Sequence, residues 1–485
     1  MTDSTLAEVR TGLYINGEHL DASDTIAVPD PADPSQTVGY AAAATPEQAR
    51  AAVEAADAAF PAWAALSPEE RAQAVVKSLE GLAADEAERI DILSRENGKV
   101  RSECEAEMHV LAHRFQLAAD LAPKLHEVEK LAAPPYNTEI RRLPLGVVTI
   151  IVPFNWPLAI LGAALPYALV AGNTTVVKAP PTTPLSFMRT LETIAAALPP
   201  GVLNVISGRD ADVGPAIIQD PRVKKVNFTG SVRGGQAIMR MASENLARIT
   251  LELGGNDPAI ILPDATFDEQ AFGGLYAGAF LTTGQVCMAM KRMYVHRSLY
   301  DTVVEGLGGV LSAQKIGPGL DPESTMGPLH SPRQVEIVEG LLADVRGRAE
   351  IREYGEPVDE AAFERGQFLR PSLVLDPPAD AKIVTEEQFG PTLPIIPYDD
   401  VEDAIRQAND TWSGLCSSVW GTDMEQVERV AARLRTGYTF INAHNAPWLD
   451  ERVPFGGFNM SGQGREMGVE GLLAFTDTHS IGFPA

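Results

Sequence analysis

Cysteine is nearly absent from this chain. Three thiols, Cys104, Cys287 and Cys416, serve 485 residues. Three cannot build a disulfide framework, which points to a reducing, cytoplasmic setting. Long apolar runs are missing too, and no stretch approaches the roughly 20 residues of a membrane-spanning helix. The opening run Met1-Thr-Asp-Ser-Thr-Leu-Ala-Glu8 lacks the basic and apolar regions of a secretory signal. Positive charge is scarce. The 39 Lys and Arg against 65 Asp and Glu leave a net charge of -26. Such a field repels nucleic acid and anionic lipid, so neither is an expected partner, and the surplus acid keeps a concentrated protein soluble. No His, Cys and Asp cluster has metal-ligand spacing, so no metal is expected. Internal repeats and low-complexity linkers are also missing.

What is present is a long succession of helical and extended patterns. The segment from Thr45 to Asp120 reads as helices, opened by the capping box Thr45-Pro-Glu-Gln48. Tyr136 to Gly146 is mixed and extended, fit for an arm or an edge strand. From Gly146 the pattern changes to short β-branched runs separated by segments of helical length. The runs are Val147 to Val152, Thr174 to Lys178, Val202 to Ile206 and Lys224 to Phe228. Apolar strands alternating with helices predict a parallel sheet covered on both faces. Ligands of such sheets bind beyond the carboxyl ends of the strands, here marked by Asn155, Lys178, Gly208 and Ser231. A second alternating region starts near Pro258, with Ala259 to Leu262, Met293 to His296, Ser372 to Leu375 and Ser417 to Trp420 as its strands. The two α/β units meet around Glu252 to Asn256.

Several residues carry possible chemistry. Cys287 sits in Leu281-Thr-Thr-Gly-Gln-Val-Cys-Met288, downstream of Leu251-Glu-Leu-Gly-Gly-Asn256. A thiolate attacking a carbonyl, with a carboxylate later activating water, would use such a pair. A lone thiol equally suits a small buried hydrophobe. Phe228-Thr-Gly-Ser231 ends a strand in a glycine turn, and Ser231 can cap the next helix, whose free N–H groups would face an anion. The usual G-x-G-x-x-G dinucleotide fingerprint is absent. Lys178 follows a buried strand and precedes two prolines. Pro153-Phe-Asn-Trp-Pro157 holds Asn155 in a rigid turn, where its amide could donate to an oxyanion or satisfy turn backbone. Cys104, in an acid-rich helix, and Cys416, before an apolar strand, read as structural thiols. His444 reads as a hydrogen-bonded scaffold residue.

Taken together, Pro153-Phe-Asn-Trp-Pro157, Lys178-Ala-Pro, Phe228-Thr-Gly-Ser231, Glu252-Leu-Gly-Gly255, Gly284-Gln-Val-Cys287, Glu387-Gln-Phe-Gly-Pro391 and Pro454-Phe-Gly-Gly457 through Ser461-Gly-Gln-Gly-Arg-Glu466 occur in this order. In order and spacing the chain resembles the NAD(P)-dependent aldehyde dehydrogenase superfamily over nearly its whole length. The resemblance implies an α/β fold of two doubly wound Rossmann-like domains, one for cofactor and one catalytic, with a β oligomerisation arm. On this reading residues 7–125 and 146–253 form the cofactor domain and 254–459 the catalytic domain. Residues 126–145 and 460–485 form the arm and tail of a homodimer or homotetramer.

The same resemblance implies roles for matching positions. Cys287 is the nucleophile, Asn155 and the Cys287 N–H form the oxyanion hole, and Glu252 is the deacylating base. Glu466 is a second acid on a proton path. Lys178 binds the adenosine ribose, Ser231 lies beside the pyrophosphate, Glu387 holds the nicotinamide ribose and Phe389 packs near that ring. Pro153, Phe154, Gly208, Gly230 and Leu253 complete the cofactor crevice. Trp156, Val286, Met288 and Phe455 are expected around a substrate tunnel, whose apolar character leans toward a hydrophobic or aromatic aldehyde.

Two departures carry consequences. The family's Lys-Pro-Ser-Glu reads Lys178-Ala-Pro-Pro181, so the acid that accepts from the ribose hydroxyls is missing. The family's Gly-Tyr-Lys reads Gly457-Phe-Asn459. Without the acid, Lys178 and Arg209 are free to meet a 2′-phosphate, unless Asp210 or Asp212 pairs with Arg209. NADP is therefore expected to serve alongside NAD, within roughly two orders of magnitude in kcat/KM. The leading expectation is oxidation of an aldehyde to its acid with water as acyl acceptor. An acylating enzyme that uses coenzyme A and a non-catalytic binding protein on the same scaffold are the alternatives.

Overall fold

The computed structural model describes residues 8–133 and 135–484. The opening run Met1 to Ala7, with the first residue of the expected cofactor domain, and Ala485 lie outside the described residues. The sequence from Thr45 to Asp120 forms the helices Pro46–Ala64, Pro68–Lys77, Glu86–Asn97 and Arg101–Asp120. Thr45 does cap the first of them. Its hydroxyl accepts from the Gln48 N–H, and the Gln48 side chain returns to the Thr45 N–H.

The β-branched runs build an eight-stranded sheet. Its spatial order is Gly462–Gln463, Arg248–Leu253, Val223–Gly230, Val147–Ile151, Thr174–Lys178, Leu203–Ile206, Leu13–Ile15 and Glu18–Leu20. The five strands from Arg248–Leu253 to Leu203–Ile206 are parallel. The chain starts this parallel set at Val147–Ile151, winds outward on one side, then returns to Val223–Gly230 on the other. That reversal opens a crevice at the carboxyl ends of Val147–Ile151 and Val223–Gly230. Helix Pro157–Val170 starts at the same end, with Pro157 in its first turn, where no N–H is needed. It is apolar on every side and almost wholly buried, as an all-round hydrophobic helix must be.

The second sheet has seven strands, ordered Glu350–Glu353, Ser372–Leu375, Thr392–Tyr398, Met290–His296, Asp257–Ile261, Cys416–Trp420 and Tyr438–Ile441. All neighbours are parallel except the edge strand Glu350–Glu353. Gly254 and Gly255 join the carboxyl end of Arg248–Leu253 to the amino end of Asp257–Ile261. The carboxyl edge of the first sheet therefore faces the amino edge of the second, and the candidate site lies between them.

The extended segment before Gly146 is strand Tyr136–Pro144. It pairs on one side with Glu129–Ala133 and on the other with the C-terminal strand Thr476–Pro484, antiparallel in both cases. The resulting three-stranded sheet carries exposed Leu131, Tyr136, Leu143 and Phe483. No helix among the described residues is long and apolar enough to cross a membrane.

Candidate active site

Cys287 lies on the loop that enters strand Met290–His296, partly exposed where two cavities meet. The loop is built from strained backbone. Thr282 and Thr283 have φ of 54° and 55°, followed by Gly284 at 74°. A Cβ on Gly284 would sit 2.2 Å from the Gly390 carbonyl, so only glycine fits there. β-branched residues in the left-handed region are costly and persist where surrounding contacts over-determine them. Those contacts are present. The Trp156 indole donates to the Thr282 hydroxyl at 3.0 Å, and the Thr282 N–H donates to Glu103 at 2.6 Å. The Asn155 amide donates to the Gln285 carbonyl at 2.9 Å. Asn155 is thus tied to the cysteine loop by one N–H and keeps a second for another acceptor.

Burial pushes the Cys287 thiol up to about 12, with the Glu387, Asp257 and Glu252 carboxylates adding to the rise and Lys291 opposing it. A thiol so placed needs a base to ionise it. Glu252, at the end of strand Arg248–Leu253, lines the same cavity as Cys287. It is 4% exposed and neither carboxylate oxygen has a hydrogen-bond partner. Burial first, then the charge of Glu466, holds its pKa well above the ordinary carboxylate range. Glu466 is buried as well and accepts from the Asn227 amide at 2.7 Å. Desolvation raises it too. Both carboxyls therefore hold their protons more tightly than ordinary carboxylates do.

The first cavity has a volume of about 360 Å³. Trp156, Val286 and Met288 are on its wall as expected, joined by Val110, Ala159, Ile160, Leu281 and Pro447. Phe455 is not on that wall. It packs in the core with Val286, Met288 and Cys416, held there by reciprocal backbone bonds to Glu466. Glu103, Arg114 and Glu451 are wall residues that sequence reasoning missed. The helical spacing of Glu103, Ala106, Val110 and Arg114 puts them on one face of Arg101–Asp120, a signal present in the sequence but without a partner to interpret it. Arg114 Nε and Nη2 both donate to Glu451 Oε1, at 2.9 and 2.7 Å, and Nη1 donates to the Ala159 carbonyl.

The second cavity, of about 270 Å³, shares Asn155, Ile160 and Cys287 with the first. It fills the crevice between the two central strand ends. Pro153, Phe154, Gly230, Ser231, Leu253, Glu387 and Phe389 line it, with Gln334 and Ile337 added by the structure. Ser231 caps helix Val232–Ala242, accepting from the Gly234 N–H at 3.1 Å, so the remaining first-turn N–H groups open toward the crevice. Glu387 accepts from the Gly255 N–H at 3.2 Å, and a Cβ on Gly254 would collide with its carboxylate at 2.1 Å. Gly254 leaves the room that this carboxylate fills, and Gly255 does the same for the Asp257 carboxylate and the Cys287 carbonyl. Phe154 stacks on His330 at 4.2 Å and meets Phe389 edge-on at 6.0 Å, which makes a rigid apolar floor. An apolar, ring-sized slot with a carboxylate at one end and a helix N-terminus at the other fits a dinucleotide.

Lys178, Gly208 and Arg209 are not on this wall. Lys178 is buried and pairs with Asp210 Oδ1 at 2.5 Å. Arg209 pairs with Asp24 at 2.7 Å and not with Asp210 or Asp212, because the strand Asp24–Asp30 comes alongside. Both cations therefore have carboxylate partners. Gly208 packs against Val213 and Ala44. Cys104 and Cys416 are fully buried. Desolvation is the leading cause that raises both thiols, ahead of the acids around Cys104. His444 is buried with Nδ1 2.8 Å from the Ser418 hydroxyl, and burial holds it down to about 3, so it is neutral scaffold. Among the described residues no group of three or more His, Cys, Asp or Glu could hold a metal ion.

A thiol and a dry carboxylate set between an apolar crevice at the strand ends and a second apolar cavity have the composition of a covalent carbonyl-oxidising site. Residues 19–481 match the model of the aldehyde dehydrogenase family, and the chain belongs to it. It is similar to an NADP(+) succinate-semialdehyde dehydrogenase of Escherichia coli, 34% identical over 98% of each chain. It is 35% identical to a betaine aldehyde dehydrogenase of Bacillus subtilis, covering 90% of this chain and 89% of that one. Among solved structures, betaine aldehyde dehydrogenase from Staphylococcus aureus in complex with NAD+ superposes with a TM-score of 0.92 at 30% identity, covering 98% of this chain and 94% of that one. The fold is that of two Rossmann-like α/β sheets, and the protein is an NAD(P)-dependent aldehyde dehydrogenase that oxidises aldehydes to carboxylic acids.

Proposed function

We propose that this enzyme oxidises a neutral, apolar or aromatic aldehyde, with water as the acyl acceptor and NAD favoured over NADP. The observation that carries the substrate reading is the state of Arg114. A guanidinium in the substrate cavity would recognise the carboxylate of a semialdehyde, but here Glu451 neutralises its charge and, with the Ala159 carbonyl, takes three of its five N–H groups. Glu103, the other wall acid, is bonded to the Thr282 N–H and pushed up by burial, so it offers little to a cationic substrate. What remains is an apolar wall that suits an uncharged side chain.

In the covalent step the Cys287 proton passes to Glu252 and the sulfur bonds to the aldehyde carbon. The carbonyl oxygen becomes an alkoxide facing the Asn155 amide and the Cys287 N–H. A dinucleotide in the neighbouring crevice would supply the hydride acceptor that this carbon needs to become a thioester. Glu466 relays the Cys287 proton outward and so returns Glu252 to its basic form. Glu252 then draws a proton from water, whose oxygen attacks the thioester, and gives that proton to the departing sulfur as the acid is freed. Phe154, Phe389 and Glu387 would hold the cofactor's reactive ring and its ribose, and Ser231 the pyrophosphate; Lys178, beyond the crevice wall and paired with Asp210, would meet only the adenosine end.

Cofactor preference follows from Asp210. Its pairing with Lys178 puts a negative charge where the family acid is missing, and like charge disfavours a 2′-phosphate. The exposed hydrophobic groups on the three-stranded sheet support assembly as a homodimer or homotetramer.

Steady-state kinetics with hexanal, benzaldehyde, succinate semialdehyde and betaine aldehyde, with and without coenzyme A, tests the reading. The uncharged aldehydes give the highest kcat/KM, and the product is free acid in both conditions. Preference for succinate semialdehyde or betaine aldehyde, or a coenzyme A thioester as main product, would overturn it.

A further inference from the structure

The reaction just described leaves a buried cation without a task. Lys291, on strand Met290–His296, is 3% exposed. Its Nζ donates to the Val286 carbonyl at 2.9 Å and to the Gly284 carbonyl at 3.3 Å. The carbonyl between them, Gln285, takes the Asn155 amide. Three consecutive carbonyls on the approach to Cys287 are therefore gripped by side-chain donors. They follow directly on the left-handed residues Thr282, Thr283 and Gly284, a conformation that reverts unless held.

The same ammonium sits amid the charged groups of the site. It lies 5.1 Å from the centre of the Phe389 ring. Glu387, in the segment after helix Lys382–Thr385, and Asp257, at the head of the neighbouring strand, face it together with Cys287. The neutral His444, after strand Tyr438–Ile441, is near enough to feel its charge. Asp257 is wholly buried, and its two oxygens have no hydrogen-bond partner. Glu252 faces the thiol from the first sheet. Three carboxyls thus surround the sulfur, against one ammonium.

We propose that Lys291 is a positioning residue for the covalent step, clamping the strained cysteine loop and serving as the fixed counter-charge to the Cys287 thiolate. This rests on the reading of Cys287 as nucleophile. Without the ammonium, ionising the thiol would add a negative charge to a dry cluster of acids. With it, the thiolate forms beside a cation that the loop's own carbonyls hold in place. In such low-dielectric surroundings a fixed charge acts strongly over several ångströms. Lys291 opposes the rise that burial and the three carboxylates impose on the thiol.

Alkylation of the apoenzyme by iodoacetamide across the neutral to alkaline range, with the adduct located by peptide mass, reads the thiolate directly. Lys291→Gln keeps a donor toward the Val286 carbonyl but loses the charge. Its alkylation midpoint moves up by about one pH unit, so the rate at neutral pH falls roughly tenfold. Lys291→Arg restores the midpoint. An unmoved midpoint in folded Lys291→Gln overturns the proposal. Should both variants fail to fold, Lys291→Met, which keeps the apolar stem and drops the charge, decides it. Its midpoint rises as that of Lys291→Gln does, and an unmoved midpoint sinks the idea. Turnover retained by Cys287→Ala defeats the nucleophile assignment itself, and the Lys291 proposal with it.

Discussion

Glu451→Gln should convert the enzyme toward anionic aldehydes. The Arg114 and Glu451 side chains are 9% and 14% exposed, so their charges meet in a largely dry wall. The glutamine keeps the size and an acceptor oxygen, and the Ala159 carbonyl still takes Nη1. Stability therefore falls by about 1–2 kcal/mol, short of the roughly 3–5 kcal/mol that an abandoned buried charge costs. The cavity, however, gains one uncompensated positive charge on its wall. A substrate carboxylate that replaces the lost partner makes a charge-assisted bond worth about 1.5–3 kcal/mol. At about 1.4 kcal/mol per tenfold, that raises kcat/KM for succinate semialdehyde relative to hexanal by roughly 10- to 100-fold. Both aldehydes are followed by absorbance of the reduced cofactor, with a thermal melt to verify folding. A ratio that stays within about threefold of wild type, in a folded variant, would refute the idea that the Glu451 pairing keeps Arg114 from substrates.

Glu252→Gln slows the burst of reduced cofactor and slows the steady state still more, because the amide can take a proton neither from the thiol nor from water; a steady state slowed no more than the burst argues against the deacylating role. Since Glu252 titrates above ordinary carboxylates, its basic form is lost as pH falls through that raised value, so the acid limb of wild-type steady-state kcat lies above the usual carboxylate range and disappears in Glu252→Gln. Asp210→Ala releases Lys178 from its partner and raises the NADP/NAD ratio of kcat/KM by about tenfold, with calorimetric binding of each cofactor moving in the same sense. Light scattering gives a mass at least twice the 51.9 kDa of one chain; a monomer mass defeats the assembly proposal.

The sequence by itself determined the elements and much of the chemistry. Val147 to Ile151 and Thr174 to Lys178 had to be two-sided buried strands, because β-branched runs without polar alternation leave no face for water. Thr45 and Ser231 had to begin helices, since their hydroxyls satisfy N–H groups a few residues ahead. The order of the motifs put the Cys287 and Glu252 segments into one family pattern before any contact was known. These signals are local, and periods of 2 and 3.6 residues register within a single element.

Tertiary structure decided the pairings. Arg114 meets Glu451 across 337 positions, and that contact sets the charge of the substrate wall. Arg209 turned to Asp24, 185 positions away, and left Asp210 to Lys178. Phe455 went into the core because its backbone is pinned to Glu466. Lys291 reads in sequence as one more residue near a strand start, yet it reaches back under the cysteine loop. Each partner comes from a different sheet or crossover. Which charges neutralise each other depends on how the carboxyl edge of one sheet meets the amino edge of the other, and no single segment records that geometry.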